Sequence, residues 1–127
     1  MTNTKVIKLL FVYNAGSSLR NRIFDGAHKI ISPSTYTCSL CSLTFGSFTE
    51  KNIWKQFRLN LVNDGFTLDF LHKDEFESKF DNIFSFPIIL FEVKKGLEIL
   101  ISTEELNQLN RAADLIDMTK EKIALLK

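Results

Sequence analysis

The sequence predicts an α/β fold: a mixed sheet of about four strands flanked by helices. Three observations carry it. Residues Val6 to Asn14 are apolar and β-branched with little alternation, as in a strand buried on both faces. Phe86-Pro87 opens a second apolar run to Glu92, and Lys94-Lys95-Gly96 turns it into a partner strand from Leu97 to Ile101. Between these, Ile53, Trp54, Phe57 and Leu61 recur at helical spacing.

The remaining elements follow in chain order. Asn14-Ala15-Gly16-Ser17 breaks the first strand, and Ser17 is placed to cap a helix with Leu19, Ile23, Ala27, Ile30 and Ile31 on one face. Ser32-Pro33-Ser34 ends that helix, because a residue before proline avoids the helical region. Residues 34–46 hold Cys38-Ser39-Leu40-Cys41 and are expected as a loop or as a short strand from Cys38 to Phe45. Thr49 is expected to cap the helix of Trp54, and Asp64-Gly65 to stop it. Phe66 to His72 reads as a partly alternating strand. Asp74 then caps a short helix bearing Phe76, Phe80 and Ile83. Ser102-Thr103-Glu104-Glu105 has the pattern of a capping box, and the rest is amphipathic helix with an expected break near Asp117. No repeat, linker or low-complexity tract interrupts residues 1–127, which are read as a single domain.

Composition excludes several function classes. The net charge is +1, and the basic residues are interleaved with acidic ones, so no stripe invites nucleic acid. The longest apolar runs, Leu9 to Tyr13 and Pro87 to Phe91, are too short to span a bilayer. Met1 to Lys5 lead straight into a strand with no apolar signal region, so the expected compartment is the cytoplasm. Twelve phenylalanines point to a core filled with large rings.

This element order resembles that of thioredoxin-like domains. Leu68 to Phe76 is similar to the strand and acidic lead into the short helix of that fold. Phe86-Pro87-Ile88-Ile89-Leu90-Phe91 is similar to its cis-proline segment, and Lys94 to Glu98 to its terminal hairpin turn. Within such a fold this chain is expected to carry a helical excursion, with the Cys-x-x-Cys, between the first two core strands. The resemblance implies a binding edge for extended peptides or small thiols at Asn14, Ser17 and Pro87. The whole chain resembles a family of short bacterial proteins through Phe11-Val12-Tyr13-Asn14-Ala15, His28-Lys29, Ser32-Pro33, the Tyr-x-Cys-x-Leu-Cys of Tyr36 to Cys41, and Leu71 to Phe76. Some of its members carry a GTPase label. Here no Gly-rich loop ends in Gly-Lys-Ser/Thr, and Asn14 to Ser18 offers a phosphate-sized nest without the lysine.

Cys38 and Cys41 are the only cysteines, and three readings of them stay open. As a redox pair they perform dithiol–disulfide exchange, which needs a thiolate stabilised near a helix N-terminus and a second thiol to resolve the mixed disulfide. In thioredoxins the pair directly follows the first strand; here it comes one helix later. A helix of about 15 residues is about 22 Å long, which predicts cysteines far from Pro87 unless residues 38–45 return as a strand. As zinc ligands, Cys38 and Cys41 would be joined by His28, with His72 or Asp25 as a fourth donor. As packing residues they would simply fill the core.

His72 is the other titratable candidate: an acid–base group near the Pro87 edge, oriented by Asp74 or Glu75. The bland alternative is an exposed turn in which Asp74 caps a helix. His28-Lys29 at a helix end complements the helix dipole in the plainest reading, and Trp54 is read as core. The leading expectation is a small thiol protein acting through Cys38 and Cys41 that needs no cofactor. The others are a non-catalytic module that binds a protein partner or holds zinc, and a transferase-like domain that takes a small thiol at Asn14, Ser17 and Pro87.

Overall fold

A computed structural model describes residues 7–14, 39–45, 50–80, 84–94 and 96–126. Its four strands are β1 (Lys8–Tyr13), β2 (Thr67–His72), β3 (Ile88–Val93) and β4 (Gly96–Ile101). Its helices are α1 (Ser39–Thr44), α2 (Asn52–Asn63), α3 (Lys73–Lys79), α4 (Thr103–Asn107) and α5 (Ala112–Leu126). The sheet order is β2-β1-β3-β4. β1 runs parallel to β2, with Lys8 opposite Thr67 and Tyr13 opposite His72. β3 is antiparallel to both β1 and β4. The fold is therefore α/β, with a mixed four-stranded sheet flanked by helices.

β1 is central because its residues are apolar on both faces. Leu9 and Phe11 join a core with Trp54, Phe57 and Leu61 of α2, Leu115 and Ile123 of α5, and Leu40 and Leu43 of α1. Leu10 and Val12 face the other way, against Phe76 of α3, Ile88 and Leu90. The phenylalanines fill both layers, as the composition suggested. Phe11 stacks on Phe70 at 4.9 Å and meets Trp54 edge-on at 5.5 Å. Phe76 contacts Phe80, Phe84 and Phe86 at 4.8, 6.0 and 5.7 Å.

Five local expectations are corrected. Ser39 to Thr44 form a helix rather than a loop or strand. Leu40, Cys41, Leu43 and Thr44 are buried on its inner side, and the Thr44 hydroxyl donates to the Leu40 carbonyl at 2.8 Å. Lys51 is the N-cap of α2, and Thr49, expected there, lies outside the described residues. Ile53 is half exposed while Trp54, Phe57 and Leu61 are buried, so the inward stripe of α2 is narrower than its apolar spacing. The N-cap of α3 is His72, with Asp74 already inside the helix. The C-terminal helices break after Asn107, and Asp117 lies within α5.

Other signals match. Gly65 follows α2 with φ +102°, a conformation that disfavours a side chain, and Asp64 is the C-cap. Pro87 immediately precedes β3, and the Phe86–Pro87 peptide bond is cis. The expected helix between Ser17 and Ile31 lies outside the described residues, as does Ile83. No described helix is long and apolar enough to cross a membrane.

Candidate functional site

The strand directions gather several flagged residues at one end of the sheet. β1, β2 and β4 finish there and β3 begins there. Tyr13 is opposite His72, and Val12 is opposite Ile88, so Asn14, His72 and Pro87 follow or end neighbouring strands. With strands about 4.8 Å apart, His72 and Pro87 sit about 10 Å from each other, with β1 between them.

His72 is 7% exposed. Its backbone N–H donates to Glu75 Oε1 at 2.8 Å, and its ring Nδ1 meets the same oxygen at 2.8 Å. These two contacts, the backbone one first, hold the Glu75 carboxyl below the usual glutamate range. An ionised Glu75 can only accept, so Nδ1 of His72 carries a proton and donates it to this contact. The ring lies 6.0 Å from that of Tyr13. Of the two carboxylates expected to orient His72, Glu75 makes the contact. Arg58 of α2 reaches Glu50 with two hydrogen bonds of 2.6 and 2.7 Å. That bond raises the Arg58 pKa first, with smaller electrostatic contributions from Glu50 and Tyr13.

The Pro87 side is built by α4. Thr103 Oγ1 donates to the Pro87 carbonyl at 2.8 Å and lies 2.7 Å from Ser85 Oγ. Its single proton goes to Pro87, so Ser85 donates to Thr103. Ser102 caps α4: its hydroxyl accepts from Glu105 N–H at 3.2 Å, and Glu105 Oε1 accepts from Ser102 N–H at 2.9 Å. Glu105 Oε2 also accepts from Lys122 of α5 at 2.7 Å. Lys122, then the Ser102 backbone, lower the Glu105 pKa.

The cysteine-bearing helix reaches this same side. Ser39 Oγ donates to Asn107 Oδ1 at 2.8 Å, at the far end of α4 from Thr103. From Thr103 to Asn107 is about 6 Å of helix rise. Residues 39–44 return as a helix resting on α4 and α5, not as a strand. Cys41 is disulfide-bonded, buried, and part of the core with Phe11 and Trp54.

Of the sites read from sequence, the described residues bring together Asn14, His72 and Pro87, and link the helix of Cys41 to Pro87. Cys38, Ser17, His28 and Asp25 lie outside the described residues. Among the described residues no group of three or more His, Cys, Asp or Glu is placed to hold a metal. A half-cystine has no thiolate to give a zinc ion, so the zinc reading requires Cys41 reduced. The sequence reading did not identify Thr103, Ser85 or Asn107 as site-related. The capping-box pattern marked residues 102–105 only as a helix start, and nothing local joins Ser39 to a residue 68 positions away.

Away from this end, α2 and α5 border an open groove of about 730 Å³, lined by Ile53, Phe57, Leu61, Phe66, Ile116 and Ile123 together with Asn60, Asp64 and Lys120. Trp54, fully buried, has no hydrogen-bond partner for its ring N–H among the described residues.

Compared with known proteins, the chain matches no family model, no curated protein and no solved structure.

Proposed function

We propose that this chain is a thioredoxin-like thiol–disulfide protein of the cytoplasm, using Cys38 and Cys41, with Asn14, Ser17, Pro87 and His72 as the edge that meets its partner. The fold reading is supported by the strand order β2-β1-β3-β4, by the parallel β1/β2 pair, and by the β3–β4 hairpin entered from a proline. One observation carries the functional reading: Cys41 is a half-cystine on a short helix that hydrogen bonds tie, through α4, to the Pro87 carbonyl. In a reducing compartment a disulfide is more often catalytic or sensory than structural.

In the chemistry proposed, Cys41, 6% exposed, is the resolving sulfur and Cys38 the attacking one, met by an incoming disulfide R–S–S–R′. The Cys38 thiolate attacks one sulfur, forms the mixed disulfide and expels R′S⁻, which takes a proton. Cys41, losing its own proton, then attacks Cys38 sulfur, forms the intramolecular disulfide and expels RS⁻, which is protonated in turn. Two protein thiols are oxidised and one substrate disulfide is reduced to two thiols. His72, fixed by Glu75, is the proton-exchanging side chain at the substrate edge.

The test is thiol counting by alkylation and mass measurement across glutathione redox buffers, with zinc measured on the same chelator-free sample. Two thiols that convert reversibly to none support the reading. Thiols that never pair at a physiological potential, or one zinc per chain with protected thiols, end it.

A second reading is favoured by the burial of Cys41 among Leu40, Leu43 and Trp54: a non-catalytic binding module in which the pair only holds α1. It expects Cys38→Ser to lower the melting temperature with partner binding at the Pro87 edge retained. A transferase-like domain predicts saturable glutathione binding, and no binding at millimolar concentration removes it.

A further inference from the structure

Helix α4 is five residues long, too short to persist by itself. Its first turn is already satisfied by Ser102 and Glu105, and it is anchored by the fully buried Leu106 and by Lys122. Capping therefore makes no demand on the side chains of Thr103 and Asn107 at its two ends. Each reaches to a different part of the candidate site. Thr103 receives from Ser85 and donates to the Pro87 carbonyl, a directed chain around the entry to β3. Asn107 accepts from Ser39, one of the two residues between the cysteines of Cys38-Ser39-Leu40-Cys41.

We propose that α4 is the spacer that sets the cysteine motif against the Pro87 edge, with Thr103 and Asn107 as positioning residues for disulfide exchange with protein substrates. This rests on the thiol–disulfide reading above. The physical reason is that exchange needs three sulfurs nearly in line while the substrate chain lies along the edge. Both requirements are met only at one separation of motif and edge, and an error of about an ångström in such a separation costs one to two orders of magnitude in rate. A small dithiol has no chain to lay along the edge, so it does not sense that separation.

The experiment compares wild type, Thr103→Val, Thr103→Ser and Asn107→Ala as full-length chains. Two probes are used: reduction of insulin disulfides by the reduced protein, and reduction of the protein's own cystine by dithiothreitol. Melting temperatures are recorded alongside. Thr103→Val and Asn107→Ala are expected to slow the insulin reaction about tenfold and the dithiothreitol reaction less than about twofold. Thr103→Ser, which keeps the hydroxyl, restores the insulin rate. Equal slowing with both probes, or no slowing with insulin, overturns the proposal while leaving the thiol–disulfide reading in place. A Thr103→Val chain that fails to fold leaves the decision to Asn107→Ala, scored by the same two rates. A wild-type protein that exchanges with neither probe overturns both.

Discussion

Two strand-to-helix junctions stand at the same end of the sheet, on its opposite edges, and they differ in one residue type. At each, an N-cap residue at the strand end or just after it donates its backbone N–H to a glutamate three positions later: Ser102 to Glu105, and His72 to Glu75. At the β4 junction the cap is the serine that helix starts prefer, its hydroxyl returns the bond to Glu105, and Lys122 occupies the second carboxylate oxygen. At the β2 junction the cap is a histidine, and the glutamate also holds its ring. The first arrangement satisfies a helix end and ties it to α5. The second places an oriented imidazole at the sheet end, a choice of residue that capping alone does not explain.

The comparison can be broken hardest at the packing behind each junction. Phe76 behind α3 and Leu106 behind α4 are both fully buried. Phe76→Ala should cost about 3–5 kcal/mol and Leu106→Ala about 2–5 kcal/mol in urea unfolding. A loss below about 1 kcal/mol at either site would mean that its helix is not anchored as described. Next in size, Ser102→Ala should cost about 1 kcal/mol, the usual value of a lost N-cap hydroxyl. His72→Ser should be nearly neutral for stability, because serine can supply the cap, yet alter the pH dependence of thiol exchange. A large fall in stability with an unchanged pH profile would make His72 a structural residue like its counterpart.

The smallest effect lies in acid. Glu75 and Glu105 both titrate below the ordinary value of 4.5 in the folded protein. The unfolded chain therefore binds protons first. The stabilisation from each is complete above about pH 4.5 and is lost as pH falls through the lower folded value. Their causes differ: Glu105 owes most to an ion pair with Lys122, Glu75 to the backbone of His72. Salt at about 1 M screens charges beyond about 3 Å. NMR titration of the two carboxyls should show Glu105 moving up toward its ordinary value in salt while Glu75 stays low. Equal movement would erase the distinction.

Much of this was legible in the chain. The apolar run of β1, the proline ahead of β3, the turn between β3 and β4 at Lys94 and Gly96, and the Asp64-Gly65 stop each depend on neighbours within a few residues, which is the range over which backbone sterics and periodicity act. The His72-Glu75 pairing was half legible, because i,i+3 spacing at a helix start brings the side chains together, though Asp74 competed for the same role. The α1 helix was misread, since six residues with two leucines and a cysteine carry too little periodicity to separate helix from strand.

By itself, then, the sequence determined the α/β class and the order of most elements, and it marked His72, Pro87 and the two cysteines as candidates for chemistry. Tertiary structure decided that Ser39 of α1 meets Asn107 of α4, that Thr103 at the other end of α4 meets Pro87, and that Glu75 holds the His72 ring. The reason is physical. Hydrogen bonds such as Ser39 to Asn107 join residues 68 positions apart, and no local pattern encodes which helix end a short helix will rest upon until the core beneath both has closed.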